Sequence, residues 1–202
     1  MGYPRHIQRL AELFSDLPGI GPRQALRIAY AVLEKDELYR EELIRYIHTL
    51  GMEVGVCAVC FRKTEKGADD LCGICRNPNR DVSKIMVVEK DADMETVEKS
   101  NTYNGVYHIT GGVISAMEKQ PGEKLRLREL FSRISSSKDK HPLEVIIATS
   151  NTFEGNQTGA YIEKIIQPLG IKITRLGRGL SMGAEIEYAD PLTLEAAFKN
   201  RK

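Results

Sequence analysis

The stretch CAVCFRKTEKGADDLCGIC, residues Cys57–Cys75, divides this chain of 202 residues into two regions of different pattern. It contains all four cysteines of the sequence, arranged as two Cys-x-x-Cys pairs with eleven residues between them. Two such pairs can present four thiolates to one ion, which is the donor set of a tetrahedral zinc site. Four sulfurs leave no position for water, so we predict one structural Zn²⁺ bound by Cys57, Cys60, Cys72 and Cys75.

The same pairs could instead be redox dithiols or buried free thiols. A redox Cys-x-x-Cys pair usually opens a helix of a thioredoxin-like unit, and we predict that neither pair does so here. The segment 61–71 has too few apolar residues to fold alone, so metal would contribute on the order of 10 kcal/mol to its ordering. Because the cysteines are grouped with none left over, and MGYPRH at the N-terminus lacks a secretory apolar stretch, we expect a cytoplasmic protein.

Charge and composition exclude some classes of function. The chain has 29 Lys and Arg residues against 28 Asp and Glu, and 42% of its residues are hydrophobic. This mixture is typical of a folded protein of one or two domains. A net charge of +1 excludes a coat for nucleic acid that works by bulk charge, but it permits a local basic patch. No apolar run approaches the roughly 18 residues of a membrane span, so no membrane partner is expected.

Before the cysteines, helical periodicity runs from Ile7 to about Leu50, with the turn LPGIGPRQALR at residues 17–27. Gly19 and Gly21 allow the positive φ angles and the close backbone approach that bulkier residues forbid, and we predict a helix that begins near residue 22. Exposed backbone N–H groups of such a hairpin can hold a DNA phosphate without reading a base. Arg23 and Arg27 lie four residues apart and would extend that contact. The alternative is a tight helix connection with solvated arginines.

After the cysteines, short apolar runs alternate with helical patterns. We predict strands at Ile85–Glu89, Val106–Ile109, Val145–Ala148 and Ile171–Thr174, and helices at Met94–Ser100, Leu127–Ser135, Gln157–Gln167 and Pro191–Asn200. The serine-rich run Ser135–Lys138 is predicted to be a loop. Alternating strands and helices indicate an α/β fold with a mainly parallel sheet covered on both faces.

Carboxylates fall where two predicted strands end. Glu89 closes one strand and is followed by Asp91 and Asp93, and Glu154 comes after another. Carboxylates at the carboxyl ends of parallel strands are suited to Mg²⁺ and phosphoryl chemistry. This layout resembles the Toprim fold of topoisomerases and bacterial primases, in which a Glu after the first strand works with an Asp-x-Asp after a later one. The resemblance implies an acid where this chain has Asn156, so we predict that this site is not catalytic.

Two further features are open to a plain structural interpretation. The loop RLGRGL at residues 175–180 is basic and rich in glycine, but it lacks the Gly-Lys-Ser/Thr ending of an ATP-binding loop. Phosphate binding and a solvated connection are equally compatible with it. His108 ends an apolar strand pattern, and we expect it to be packed and hydrogen-bonded rather than catalytic.

Taken together, these features resemble the bacterial recombination mediator family RecR over nearly the whole chain. The features that carry the resemblance are the hairpin Leu17–Arg27, the four cysteines followed by Arg80 and Asp81, the run Tyr103–His108 leading to Gly112–Ser115, and Glu187–Asp190 with Thr193 and Leu194. The resemblance implies a helix-hairpin-helix at 1–55, a four-cysteine zinc finger at 56–80, a Rossmann-like Toprim domain at 81–176, and a C-terminal Walker-B-like segment with a helical tail at 177–202. This chain departs from the family pattern at Ser150–Thr152, Asn156 and Leu180–Ala184.

The resemblance also implies a function without catalysis. RecR-like proteins act with RecO, and in many bacteria with RecF, to load RecA onto single-stranded DNA that is coated by single-strand-binding protein. They form ring-like dimers and tetramers through their terminal regions. Gly19, Gly21, Arg23 and Arg27 match the DNA-binding hairpin, and Glu154 is a candidate for the RecO contact.

Two alternatives stay open at this stage. The first is a Toprim-type, Mg²⁺-dependent nuclease or primase-like enzyme that uses Glu89 and Glu154. The second is a zinc-ribbon adaptor that never touches DNA.

Overall fold

The computed structural model describes residues 2–67, 69–115, 124–137, 143–177 and 179–201. The chain forms two compact units, Met1–Val54 and Gly55–Lys202. No helix within the described residues has the length and apolar character needed to cross a membrane.

The N-terminal unit consists of helices α1 (Arg5–Ser15), α2 (Pro22–Leu33) and α3 (Glu37–Glu53). Helices α1 and α2 pack through a small core that contains Ile7, Ala11, Ala25 and Ala29. Ala25 and Ala29 of α2 are fully buried, and their small side chains allow the two helices to approach closely. Helix α3 contributes no buried side chain.

The second unit is an α/β structure whose elements follow one another along the chain. They are β1 (Val54–Val56), β2 (Lys63–Glu65), α4 (Gly73–Arg76), β3 (Asp81–Val88), α5 (Asp91–Lys99), β4 (Gly105–Ile109), α6 (Leu127–Ser137), β5 (Glu144–Ile147), α7 (Phe153–Ile166), β6 (Lys172–Arg175) and α8 (Pro191–Lys199). Short 3₁₀ helices lie at Gln167–Leu169 and Ile186–Tyr188. Strands β1 and β2 pair with each other, and the other four form a parallel sheet in the order β4-β3-β5-β6.

The central strand β3 separates two apolar cores because its side chains alternate between the faces of the sheet. Ile85 and Val87 face a core that includes side chains of α6 and α7. Met86 and Val88 face the other core, which also contains three of the four cysteines, Cys57, Cys60 and Cys72. The cysteine cluster is therefore built into the packing of the sheet rather than attached at its surface.

The alternation of strands and helices predicted from the sequence is confirmed, and the differences lie at element ends. Helix α7 begins at Phe153, four residues earlier than predicted, because the Thr152 hydroxyl accepts from the Gly155 N–H and caps it. The predicted loop at Ser135–Lys138 is wrong through Ser137, since α6 continues to that residue with Ile134 fully buried. Lys138 lies outside the described residues.

Candidate DNA-binding hairpin and metal site

The turn between α1 and α2 places two glycines in different conformations. Gly19 has a φ of +79°, the left-handed region that glycine adopts at little cost. Gly21 does not use that freedom, since its φ is −81° and its ψ is 165°. The reason is Pro22, whose ring forces the preceding residue into extended backbone. A Cβ at either glycine would meet no atom within 4 Å, so the turn is open to an approaching ligand.

The two arginines predicted to bind DNA lie on α2 and are both exposed. Among the residues that the structure describes, no acidic side chain pairs with Arg23 or Arg27. Arg9 of the same unit differs, since its guanidinium lies 3.1 Å from a carboxylate oxygen of Glu12. The hairpin thus presents two uncompensated guanidinium groups, which is the chemistry that DNA phosphates attract.

The four cysteine sulfurs lie within 4.8 Å of one another. The Sγ atoms of Cys60 and Cys72 are 3.6 Å apart, too far for a disulfide, whose S–S bond is about 2.05 Å. A tetrahedral site with bonds of about 2.3 Å places its sulfurs about 3.8 Å apart. The Cys72 N–H donates to the Cys57 sulfur, and the Cys75 N–H donates to the Cys72 sulfur, each at 3.4 Å. The arrangement can hold one metal ion.

The electrostatics of the cluster also fit a bound cation. The neighbouring sulfur of Cys72 and burial raise the pKa of the Cys60 thiol to about 12. Hydrogen bonds with Cys60 and Cys72, together with burial, raise the pKa of Cys75 as well. Four thiolates crowded in an apolar core repel one another, so a cation is needed for all of them to ionise.

The prediction that neither cysteine pair opens a helix is wrong for the second pair. Cys72 is the N-cap of α4, and its sulfur accepts from the backbone N–H of Cys75. The helix covers only Gly73–Arg76, a single turn around the cluster. It therefore has little in common with the longer helix of a redox unit.

Phe61 closes the first cysteine pair and was not singled out from the sequence. Its N–H donates to the Cys57 carbonyl at 3.0 Å, and its φ is +65°. That conformation costs a residue with a Cβ about 1–2 kcal/mol. The ring is held by an edge contact with His108 at 5.2 Å and by the Arg126 guanidinium at 5.1 Å from its centre. The sequence contains one signal for this conformation. Phe61 comes directly after a Cys-x-x-Cys pair, where the chain must turn sharply.

Backbone contacts fix the cysteine module on the sheet. The Ile109 N–H at the end of β4 donates to the Cys60 carbonyl at 2.8 Å. The Lys63 N–H donates to Asp91 at 2.7 Å, and Arg62 forms an ion pair with Glu95. Asp91, one of the carboxylates considered for metal binding, is thus used to hold the module on α5.

Two of the other carboxylates at this edge of the sheet, Glu89 and Asp93, also have structural partners. Glu89 is only 5% exposed, and its two oxygens accept from the backbone N–H and the hydroxyl of Ser150 at 2.6 and 2.8 Å. Asp93 accepts from the Lys90 N–H at 2.9 Å and caps α5. Glu154 is exposed in the first turn of α7. Among the described residues, the cysteines form the one group of three or more such side chains close enough to share an ion.

His108 is fully buried, as its pattern predicted. Its Nε2 lies 2.8 Å from the Arg126 carbonyl, and its Nδ1 has no hydrogen-bond partner among the described residues. Burial lowers its pKa to about 4, so the ring is neutral at physiological pH. This is a packing residue.

The basic loop after β6 offers less free charge than its sequence suggested. Arg175 pairs with Glu163 at 2.8 Å, and Lys172 pairs with Glu144 at 3.3 Å. Arg178, the other arginine of the predicted phosphate loop, lies outside the described residues.

A helix-hairpin-helix, a four-cysteine cluster and a parallel sheet of the Toprim type define the class of this protein. Residues 7–50 match the family described as RecR, helix-hairpin-helix; residues 83–177 match the Toprim domain; and residues 179–202 match RecR, C-terminal. The chain is 40% identical over 201 residues to the recombination protein RecR of Lactococcus lactis subsp. lactis, covering 100% of this chain and 98% of that one. It is also 40% identical over 200 residues to recombination protein RecR of Natranaerobius thermophilus, covering 99% and 98% of the two chains. The chain belongs to the RecR family of recombination proteins. Its relatives are named as recombination proteins and not as enzymes.

Proposed function

We propose that this chain is a non-enzymatic, DNA-binding recombination mediator in DNA repair. It acts in the cytoplasm with RecO-like and RecF-like proteins to load RecA onto single-stranded DNA coated by single-strand-binding protein. Its DNA substrates are single-stranded and gapped or double-stranded. The observation that carries this proposal is the exposed pair Arg23 and Arg27, which have no acidic partner among the described residues and stand beside the open turn at Gly19 and Gly21.

The hairpin favours contact with phosphates over readout of bases. Its two guanidinium groups project from one helix, and a Cβ at Gly19 or Gly21 in the turn before that helix would meet no atom within 4 Å, so the backbone there is open to a phosphate. Such contacts carry no sequence information, which suits a mediator that must act on any exposed strand. Because two arginines per chain bind weakly, several copies acting together would raise the affinity through effective concentration.

Zinc is the ion proposed for the cysteine cluster. Four thiolates in tetrahedral spacing are the donor set of structural zinc, and they leave no position for a reacting water. Three of the four cysteines are buried in one core of the sheet. The ion therefore serves folding, with Cys57, Cys60, Cys72 and Cys75 as its ligands.

The environment of the carboxylates supports a function without catalysis. An Mg²⁺-dependent nuclease or primase-like enzyme would need Glu89 and Glu154 free to bind metal. Glu89 already accepts two hydrogen bonds from Ser150, and Asn156 supplies an amide instead of a charge. These features weigh against the enzymatic alternative.

Exposed apolar surface supports a ring-like homodimer or homotetramer. Helix α3 buries no side chain, and Leu38, Ile44, Ile47 and Leu50 on it are 63–78% exposed. The C-terminal segment exposes Ile186, Tyr188, Leu192 and Phe198 by 65–80%. Apolar surfaces of this extent usually mark sites of association.

Exposed Glu154, beside exposed Phe153, is proposed to contact the RecO-like partner.

The test of this function is a loading assay on single-stranded DNA coated by single-strand-binding protein. DNA-dependent ATP hydrolysis by RecA reports loading, and it should be restored when this protein and its RecO-like partner are both present. Loss of that restoration in Arg23→Ala/Arg27→Ala is expected. Cleavage or primer synthesis that requires Mg²⁺ and Glu154 would support the enzyme, and failure to bind any DNA at low salt would support the adaptor.

A further inference from the structure

Arg133 of α6 is a half-buried guanidinium beside the cysteine module. Its Nη1 donates to the carbonyl of Tyr107 in β4 at 2.6 Å and to that of Val59 at 3.4 Å. Val59 lies between Cys57 and Cys60 in the sequence. Among the described residues, no carboxylate pairs with Arg133. A cation removed from water without an anion is costly, so its placement calls for a compensating charge.

The compensating charge is available in the cluster itself. Four thiolates and one Zn²⁺ sum to a charge of −2, held in an apolar core. Burial lowers the pKa of Arg133, while the sulfurs of Cys75, Cys60 and Cys57 act in the opposite direction, which places the guanidinium within their field.

Other arginines near the module have partners of their own. Arg62 pairs with Glu95, and Arg76 pairs with Asp69 at 2.6 Å. The Arg126 guanidinium lies over the ring of Phe61. Arg133 differs from all three because its side chain donates to a backbone carbonyl within the first cysteine pair, which makes it the arginine best placed for the cluster to balance.

We propose that Arg133 is the counter-cation of the zinc-thiolate cluster, strengthening its hold on zinc while joining the module to strand β4. The inference rests on zinc as the proposed ion. The two carbonyl contacts of Arg133 fix its guanidinium between the first cysteine pair and the sheet. Arg133→Lys keeps a positive charge and a donor, whereas the shorter amide of Arg133→Gln removes both the charge and these hydrogen bonds. Charge is therefore separated from hydrogen bonding by changing the charge of the cluster itself.

The test measures the zinc dissociation constant of the full-length protein by competition with a chromophoric chelator. The variants are Arg133→Gln, Arg133→Lys and the control Arg128→Gln, which removes an exposed arginine from the same helix. Arg133→Gln should weaken zinc binding at least tenfold, whereas Arg133→Lys and Arg128→Gln should stay within threefold. An effect of Arg133→Gln below twofold, or equal losses for Gln and Lys, would overturn the inference.

Two further results separate the possible failures. If the parent protein binds no zinc, the proposed ion is wrong and the role of Arg133 falls with it. In a Cys75→His background, whose cluster carries one negative charge less, the loss caused by Arg133→Gln should shrink at least threefold. An unchanged loss would contradict the charge role. If Arg133→Gln does not fold even with saturating zinc, folding of Arg133→Lys with parental affinity supports the inference, and its failure to fold counts against it.

Discussion

Ser150 occupies both carboxylate oxygens of Glu89, with its N–H 2.6 Å from Oε1 and its hydroxyl 2.8 Å from Oε2. These two hydrogen bonds connect the loop after β5 to the end of β3. Gly155 at the start of α7 lies against Ser150 and the Glu89 carboxylate. A Cβ at Gly155 would lie 2.2 Å from the Ser150 carbonyl oxygen. Glu89 is thus a structural acceptor in a position where the fold could have held a metal ligand.

Replacing Glu89 should destabilise the C-terminal unit. Glu89→Ala removes the buried carboxylate that accepts both hydrogen bonds from Ser150, so we expect the free energy of unfolding in urea to fall by about 1–2 kcal/mol. Glu154→Ala, which removes an exposed carboxylate, should change it by less than about 0.5 kcal/mol. Millimolar Mg²⁺ should leave the melting temperature of the parent unchanged. Equal, small effects of both substitutions together with stabilisation by Mg²⁺ would favour a metal site.

The two hairpin glycines should respond differently to alanine. Gly19→Ala places a Cβ at a φ of +79°, so the N-terminal unit should lose about 1–2 kcal/mol of stability. Gly21→Ala is compatible with its extended backbone and open surroundings, and it should leave the thermal unfolding midpoint unchanged. If a phosphate approaches the Gly21 backbone, this variant should still weaken DNA binding several-fold in an anisotropy titration. Parental DNA affinity in Gly21→Ala would place the phosphate elsewhere.

Removal of zinc should expose a specific amide of the sheet. The Ile109 N–H donates to the Cys60 carbonyl, so its protection from hydrogen exchange should fall by at least tenfold when a chelator strips the metal. The Ala148 N–H, directly after β5, donates to the Val87 carbonyl of β3 and serves as the control. Its protection should change far less. Equal loss at both amides would mean that the whole sheet depends on the ion, and no loss at Ile109 would separate the module from β4.

Burial of His108 predicts a pH dependence of stability between pH 7.5 and 5.5. Its folded pKa of about 4 lies below the ordinary value of 6.5, so the unfolded chain binds a proton first as the pH falls. The stabilisation is complete near pH 7.5 and decreases as the pH falls through 6.5, by about 1.4 kcal/mol at pH 5.5. With zinc in excess, His108→Leu should lose this component of the urea unfolding profile, and the exposed His48→Gln should keep it. An identical pH profile in His108→Leu and the parent would contradict the assignment.

The alternation of helices and strands and the cysteine cluster could be predicted from the sequence because both depend on local spacing. Runs of β-branched residues mark strands such as β3, and two Cys-x-x-Cys pairs bring four sulfurs together whatever surrounds them. The conformation of Gly21 was also accessible in principle, since the proline that follows it determines the backbone there.

Long-range contacts could not be predicted in the same way. The partner of Glu89 is Ser150, sixty-one residues away, and only the parallel pairing of β3 with β5 brings them together. The sequence does not indicate that Arg133 balances the charge of the cluster, because the sequence pattern around a half-buried arginine on a helix is the same as around a solvated one. The place of the turn at Phe61 follows from the Cys-x-x-Cys pair, but the packing of its ring against His108 and Arg126 does not, because both residues are distant in the chain.

The most direct test of DNA binding by the hairpin is an anisotropy titration of a labelled single strand and a labelled duplex at several salt concentrations. The variant is Arg23→Ala/Arg27→Ala, and the matched control is Arg9→Ala/Arg45→Ala, which removes two arginines that are paired with Glu12 and Glu42. The hairpin variant should bind at least tenfold more weakly, with a salt slope reduced by about 0.7–0.9 for each DNA phosphate that is no longer neutralised, while the control stays close to the parent. Parental affinity and salt slope in Arg23→Ala/Arg27→Ala would contradict the account.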